Sequence, residues 1–154
     1  MEIYFLRHGE AVDALPGGSD AERELTEKGH RQSAKVARWL AENKIVFDFI
    51  ICSGRKRAQQ TAEPVAEALG MRVITDTRLS GGQLTVGSLS DLLEEFGDPE
   101  RVLLVGHEPD FSDMVETLTG GIIEMKKGAL AAVACDEVHQ GEGMLTLLLP
   151  PKWL

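Results

Sequence analysis

Short apolar runs alternate with stretches of helical periodicity along this chain, an arrangement typical of layered α/β folds. Six runs rich in apolar residues are predicted to be strands: residues 2–7, 47–52, 72–75, 102–105, 130–135 and 144–149. Four segments with helical spacing are predicted to be helices: residues 25–43, 53–69, 88–96 and 109–118. Because strands and helices interleave, we expect a mixed α/β layer structure.

The apolar positions of three helices predict the faces that pack on the sheet. The predicted stripes are Ala34, Ala37, Leu40 and Ala41 in the first helix, Ala58, Ala62, Val65, Ala66 and Leu69 in the second, and Phe111, Met114, Val115 and Leu118 in the last. Ser53 is a plausible N-cap of the second helix, and Gly70 closes it. Residues 13–25, with a proline and two glycines among acidic residues, are predicted to be a loop near the end of the first strand.

The composition limits the class of protein. The chain has 154 residues, 43% of them hydrophobic and 27% charged, which fits one soluble globular domain spanning residues 1–154. No stretch approaches the roughly 20 apolar residues of a transmembrane helix, and the N-terminus lacks the pattern of a signal peptide, so we expect a cytoplasmic location. Cys52 and Cys135 lie in apolar runs and are expected to be buried free thiols.

The net charge of −9 bears on the expected partners. It argues against nonspecific binding to nucleic acid or to a membrane surface, since both need a basic face. It does not exclude an anionic substrate, because a few arginines in a partly desolvated pocket outweigh distant carboxylates that solvent and salt screen.

The first candidate chemistry lies where the first strand ends, at residues 6–10 (LRHGE). In open α/β sheets, ligands bind outside the carboxyl ends of the strands. Arg7 offers a planar fork of donors suited to phosphate oxygens, and His8 can attack phosphorus or carry a proton near neutral pH. Gly9 lets the backbone turn sharply or approach a ligand closely. The segment is therefore interpreted as the core of a phosphate-handling site.

Two further strand ends carry ionisable residues: Arg57 one helical turn beyond the second strand, and His107 after the fourth. Taken singly, each of the four residues has an ordinary explanation: a surface salt bridge, a structural histidine, a solvated helix face or a helix cap. Together at one sheet edge they would form a compact cationic pocket of phosphate size, to which two helix N-termini could add positive charge.

Three motifs resemble those of the histidine phosphatase (phosphoglycerate mutase-like) superfamily. Residues 6–10 resemble its RHG motif, residues 53–62 (SGRKRAQQTA) its second signature, and residues 105–109 (VGHEP) its third. Order and spacing agree, and the similarity covers essentially the whole chain. Gly54 stands where the family usually has proline, which leaves the phosphate ligands in place.

The resemblance implies a three-layer α/β/α sandwich around a mostly parallel sheet, the phosphoglycerate mutase-like fold. It implies that His8 is the nucleophile that accepts the phosphoryl group. Arg7, Arg57 and His107 would bind the phosphoryl oxygens and neutralise charge in the transition state. Phosphoryl transfer is catalysed mainly by positioning and electrostatic stabilisation, so no cofactor and no metal are expected.

Two features favour a phosphohistidine phosphatase that acts on a protein, similar to the compact SixA-type members. The chain has little spare length for a lid over the site, and the loop from Thr77 to Gln83 lacks the glutamate with which mutase-like members protonate a leaving alkoxide. An alkoxide benefits about 100- to 10,000-fold from such an acid, whereas imidazole needs it less. Glu10, Glu108 or a carboxylate in residues 19–24 could substitute for it.

Two other functions stay open. One is a phosphatase for small phosphate esters, and the other is a non-catalytic phosphate-binding module, which would need the arginines but not His8.

Overall fold

The computed structural model describes all 154 residues and contains one six-stranded sheet with four α-helices. The strands are β1 (Glu2–Arg7), β2 (Phe49–Cys52), β3 (Val73–Thr75), β4 (Arg101–Gly106), β5 (Leu130–Ala134) and β6 (Met144–Leu149). The helices are α1 (Glu27–Glu42), α2 (Lys56–Leu69), α3 (Val86–Glu95) and α4 (Asp110–Thr119), with short 3₁₀ turns at Asp20–Glu22, Thr77–Leu79 and Pro151–Trp153.

The strand order is β3-β2-β4-β1-β5-β6, and the first four strands in this order are mutually parallel. Strand β5 runs antiparallel to both of its neighbours. In the register, Val105 of β4 lies beside Leu6 of β1 and Cys52 of β2. The chain therefore leaves β1, β2 and β4 at the same level of one sheet edge.

Two apolar cores cover the two faces of the sheet. Successive residues of a strand point to opposite faces, so Ile3 and Phe5 pack with α3 and α4, whereas Tyr4 and Leu6 pack with α1 and α2. The result is the expected α/β/α sandwich with a mostly parallel sheet. Cys52 lies in the core with α1 and α2, and Cys135 lies in the core with α3 and α4. Both are buried free thiols, as predicted.

The predicted stripe of α1 is partly wrong. Ala34 and Ala41 are exposed, and the buried face consists of Gly29, Ser33, Val36, Ala37 and Leu40. Ser33 belongs to this face because its hydroxyl donates a hydrogen bond to the Thr61 carbonyl oxygen at 2.7 Å, which satisfies it inside the contact with α2. Alanine spacing alone did not reveal a buried serine.

The predicted start of α2 is also wrong. The helix begins at Lys56 with Arg55 at the N-cap position, and Ser53 precedes it. The Ser53 hydroxyl accepts a hydrogen bond from the Arg55 amide at 3.1 Å. Gly70, at φ 65°, ends α2 as predicted. None of the helices combines the length and the apolar character that a membrane-spanning helix needs.

Candidate active site

The four residues singled out from the sequence meet at the sheet edge where β1, β2 and β4 end. The ring centroids of His8 and His107 are 5.1 Å apart, and Arg57 Nε lies 3.3 Å from His8 Nε2. Arg7 lines the same open cavity of about 460 Å³. Their side chains therefore surround one space, as the sequence predicts.

His8 carries the free lone pair of its ring on Nε2. Its Nδ1 lies 2.7 Å from the Gly9 carbonyl oxygen, which can only accept, so the hydrogen bond assigns the ring proton to Nδ1. Burial lowers the pKa of His8 to about 4, and the nearby Arg57 and Arg7 act in the same direction against the Gly9 hydrogen bond. The ring is therefore neutral at pH 7, and Nε2 accepts from Arg57.

His107 is neutral for a similar reason. Burial lowers its pKa to about 3, with further effects from His8, Arg57 and Arg55. Its Nε2 lies 2.8 Å from the Ser53 hydroxyl. Ser53 therefore positions the His107 ring, whereas the sequence predicted it to be a helix cap. The other ring nitrogen, Nδ1, is buried without a hydrogen-bond partner.

Arg7 completes the cationic side of the cavity. Its Nη1 donates to the Met125 carbonyl oxygen at 2.8 Å, which fixes the guanidinium. Burial lowers its pKa, and Glu108 and Glu124 partly offset this, but an arginine keeps its charge in proteins. Arg7 Nε and His107 Nδ1 are the two buried side-chain polar atoms of the chain without a partner. Both belong to residues that line the cavity, where an oxyanion could satisfy them.

Asp20, one of the carboxylates of residues 19–24 considered as a substitute acid, instead contacts Arg57, which the sequence analysis did not predict. It lies in the predicted loop of residues 13–25, and its carboxylate and carbonyl oxygens accept from Arg57 at 3.1 and 2.9 Å. The carboxylate also pairs with Arg23 and Arg55. Partial burial raises the Asp20 pKa, but the hydrogen bonds from Arg23 and Arg57 outweigh this, and the net effect is a lowered pKa. Asp20 is therefore an anion, and it engages the guanidinium of Arg57.

The two other carboxylates considered as substitute acids are engaged elsewhere. Glu10 accepts from the Thr26 hydroxyl at 2.8 Å. Glu108 lines the cavity, but it accepts from the Ser112 amide at 3.0 Å and from the Ser112 hydroxyl. No three His, Cys, Asp or Glu side chains are grouped so that they could hold a metal ion.

Backbone contacts fix the segment that carries His8. The Gly9 amide donates to the Thr61 hydroxyl at 3.1 Å, and Thr61 in turn donates to the Arg57 carbonyl oxygen at 2.7 Å. A Cβ on Gly9 would lie 2.7 Å from the Gly29 carbonyl oxygen, so only glycine permits this approach. Thr61 belongs to the second motif, and this membership was the only feature of the sequence that could have indicated its contact with Gly9.

Asp110 holds the opposite wall of the cavity. Its buried carboxylate accepts from the amides of Gly82, Gln83 and Leu84 at 2.9, 3.3 and 3.2 Å. Gly82 lines the cavity together with Ser80 and Gly81. The sequence analysis did not single out Asp110, because nothing in the local pattern shows that a residue opening a helix bonds a loop 26 to 28 positions earlier.

The cavity presents charged and hydrogen-bonding groups and no hydrophobic side chain to solvent, which is the kind of surface that α/β proteins use to bind phosphoryl groups. Residues 3–95 match the family model of the histidine phosphatase superfamily (branch 1). The chain belongs to this family.

Individual relatives carry two different names. Phosphohistidine phosphatase SixA of Escherichia coli (strain K12) is 30% identical over 149 residues, which cover 92% of this chain and 89% of that protein. A probable phosphoglycerate mutase, GpmB of Cronobacter sakazakii, is 37% identical over 118 residues, and these cover 71% of this chain but 52% of that protein. A solved structure of the protein histidine phosphatase SixA complexed with tungstate superimposes with a TM-score of 0.85 at 29% identity, covering 99% of this chain and 98% of that one.

Proposed function

We propose that this phosphatase hydrolyses phosphohistidine on a signalling or phosphotransfer protein, through a phosphohistidine intermediate on His8. One observation carries the proposal. The Gly9 carbonyl oxygen holds the proton on His8 Nδ1, which leaves Nε2 as a neutral nucleophile beside Arg57. A neutral imidazole nitrogen attacks phosphorus without first losing a proton.

In the first step, His8 Nε2 forms a bond to phosphorus while the bond from phosphorus to the substrate imidazole breaks. A phosphohistidine whose other ring nitrogen carries a proton leaves as neutral imidazole, and His8 with its Nδ1–H takes its place as the phosphorylated ring. The phosphoryl group has moved between two equivalent imidazoles, so no proton has to be transferred.

In the second step, a water oxygen bonds to phosphorus and the bond from phosphorus to His8 Nε2 breaks. Dihydrogen phosphate leaves with both hydrogens of the water, and His8 returns to its neutral form. Arg7, Arg57 and His107 would hold the phosphoryl oxygens through both steps, which stabilises the charge where it develops.

The state of the carboxylates favours cleavage of a nitrogen–phosphorus bond. An alkoxide leaving group needs a proton from an acid, but the lowered pKa of Asp20 keeps that side chain ionised, and Glu108 accepts two hydrogen bonds from Ser112. The similarity to SixA over nearly the whole chain supports the same choice. Tungstate is a tetrahedral oxyanion, so a relative of the same fold binds an oxyanion, which supports the proposal that this chain binds a phosphoryl group.

The experiment compares His8→Ala with His30→Ala, a control histidine that is exposed on α1. Each protein is assayed for phosphate release from a histidine-phosphorylated phosphotransfer domain, and a labelled phosphoenzyme is trapped by acid-free denaturation. We expect loss of at least about a thousandfold in rate for His8→Ala, no labelled intermediate, and unchanged behaviour of His30→Ala. Retained turnover in folded His8→Ala would overturn the assignment of the nucleophile.

The second candidate function is hydrolysis of a small phosphate ester. It is supported by the similarity to GpmB and by Glu108, which lines the cavity and could protonate an alkoxide if it left Ser112. In this case sugar phosphates or nucleotides would be hydrolysed faster than the phosphorylated protein under matched conditions. Glu108→Gln would then slow ester hydrolysis while leaving release from phosphohistidine unchanged.

A further inference from the structure

The charge of this chain is unevenly distributed over its surface. Although the net charge is −9, seven of the 16 basic residues line one open groove together with a single carboxylate, Glu10. Six of these cations are Lys28, Arg31, Lys35, Lys126, Lys127 and Lys152, and the seventh is Arg7. Gln32, Pro150 and Pro151 complete the lining of this surface, which we call the basic groove.

Three elements contribute to the basic groove and are held together by direct contacts. Lys28, Arg31 and Lys35 follow helical spacing on α1, so they lie on one face of it. The Gly128 amide donates to the His8 carbonyl oxygen at 3.0 Å. A Cβ on Gly128, whose φ is +74°, would lie 3.0 Å from carbon atoms of both Gln32 and Pro151. Thus the lysines before Gly128 and the one after Pro151 are fixed beside α1.

Most cations of the basic groove have no counterion within the chain. Lys126 pairs with the exposed Glu124, but none of the other six cations of the basic groove forms an ion pair. In contrast, Arg23, Arg55, Lys56, Arg78 and Arg101 on other parts of the surface are all paired with carboxylates. An unpaired cluster of like charges repels itself, and an anionic partner would relieve this repulsion.

The basic groove opens onto the catalytic cavity, because Arg7 and Lys127 line both. We infer that it binds an acidic patch on the phosphorylated protein, next to the phosphohistidine that enters the cavity. This inference rests on the proposed function and extends it to the recognition of the substrate protein.

The size and placement of the basic groove favour a protein surface over other anions. Its volume of about 620 Å³ and its five lysines on separate parts of the chain suit several carboxylates spread over a surface, whereas a single second phosphate would suit a smaller set of donors. A long polyanion such as RNA, or an anionic membrane, would extend past the groove onto the acidic remainder of the surface. A local acidic patch would not.

The experiment uses two substrates and two double variants. The substrates are phosphoimidazole and an acidic phosphotransfer domain phosphorylated on histidine. Lys28→Glu with Lys35→Glu changes the basic groove without touching the cavity. The control, Lys44→Glu with Arg72→Glu, makes the same change in charge at two exposed positions outside it. The phosphorylated domain is also prepared with the carboxylates around its histidine changed to amides.

We expect the groove variant to lose about tenfold or more in kcat/KM on the acidic domain at low ionic strength, mainly through KM. Its turnover of phosphoimidazole should stay within about twofold of the wild type, because small-substrate chemistry does not use the groove. The control variant should keep most of the wild-type activity on both substrates. With the amide-substituted domain as substrate, the wild type and the groove variant should have similar kcat/KM.

Different failures identify different errors. If phosphoimidazole and the domain both resist hydrolysis by the wild type, the proposed function fails and this inference fails with it. If phosphoimidazole is hydrolysed but the groove and control variants lose equally on the domain, or neither loses, the basic groove alone is overturned. Tighter binding of the wild type to anionic vesicles or RNA than to the acidic domain would overturn the choice of partner.

Discussion

At the scale of single residues, Arg57 has partners that a phosphoryl group would have to replace. Its Nε donates to His8 Nε2, while its two Nη groups donate to Asp20. In the proposed mechanism, an incoming phosphoryl group needs the same donors, and His8 Nε2 must give up its hydrogen bond before it can attack. We therefore expect Asp20 to compete with the substrate for Arg57.

We expect Asp20→Asn to bind inorganic phosphate more tightly, by about fivefold, which corresponds to ~1 kcal/mol for a partly exposed ion pair. The amide removes the competing negative charge but keeps the size of the side chain. Competitive inhibition by phosphate measures the effect. Glu22→Gln is the matched control, since it makes the same change in charge at an exposed position of the same 3₁₀ turn. Weaker phosphate binding in Asp20→Asn would mean that Asp20 orients Arg57 instead of competing for it.

The two buried histidines make stability depend on pH. Their pKa values in the folded chain are about 4 for His8 and about 3 for His107, whereas an unfolded histidine titrates near 6.5. Below pH ~6.5 the unfolded chain binds protons that the folded chain does not, so stability is lost as pH falls from there toward ~4.

Denaturant unfolding at pH 7.5, 6.5, 5.5 and 4.5 measures this loss. His8→Asn should make the dependence on pH shallower, because one of the two neutral buried rings is gone, and His30→Asn should not change it. If stability depends on pH as steeply in His8→Asn as in the wild type, the lowered pKa of His8 is contradicted.

At the scale of elements, helix α1 and the segment after β1 approach each other backbone to backbone. A Cβ on Gly29 would collide with the Glu10 carbonyl oxygen, and one on Gly9 would meet Gly29. This pair of glycines sets how closely α1 packs beside His8. Neither partner is a flexible side chain, so the contact cannot relax locally.

Gly29→Ala should therefore destabilise the fold by about 3 kcal/mol, although alanine favours helix. Gly87→Ala provides the control, because Gly87 is also helical and its Cβ would meet only the Thr85 hydroxyl at 3.9 Å. That variant should gain about 0.5–1 kcal/mol from lower entropy of the unfolded chain. Urea unfolding gives both values, and equal stability of the two variants would refute the close contact.

The ends of β1 and β4 were predictable from the sequence, because in each case an apolar run leads to a histidine directly after the strand, His8 and His107. Parallel strands in one sheet place such residues together, so the proximity of His8 and His107 could be predicted from the sequence. The contact of Asp20 with Arg57 could not be predicted, because the path of a loop across the site depends on contacts with Arg55 and Arg57, more than thirty residues away. Asp110 was missed for the same reason.

At the scale of the whole molecule, net charge describes this protein poorly. A total of −9 correctly leaves room for an anionic substrate, but it conceals a groove in which seven cations face one carboxylate. Charge along the chain is mixed, and only folding brings Lys28, Lys127 and Lys152 together. Any inference from total charge to partner therefore needs the distribution as well.

The two thiols report on whether the molecule unfolds as one unit. Cys52 lies in the core with α1 and α2, and Cys135 in the core with α3 and α4. Burial raises the pKa of both, to about 11 for Cys52, so neither should react with a thiol reagent in the folded protein. Strand β1 contributes alternate side chains to both cores, which couples them through a single element.

We therefore expect Cys52→Ser and Cys135→Ser, each with one remaining thiol, to become reactive at urea midpoints that match their own loss of circular dichroism. Each substitution shifts stability by its own amount, so the comparison is made within a variant and not between them. Coincident transitions are the mark of cooperative unfolding. If the thiol of one variant reacts well before its secondary structure is lost, the layer that contains this thiol opens separately, and the shared β1 does not couple the two cores.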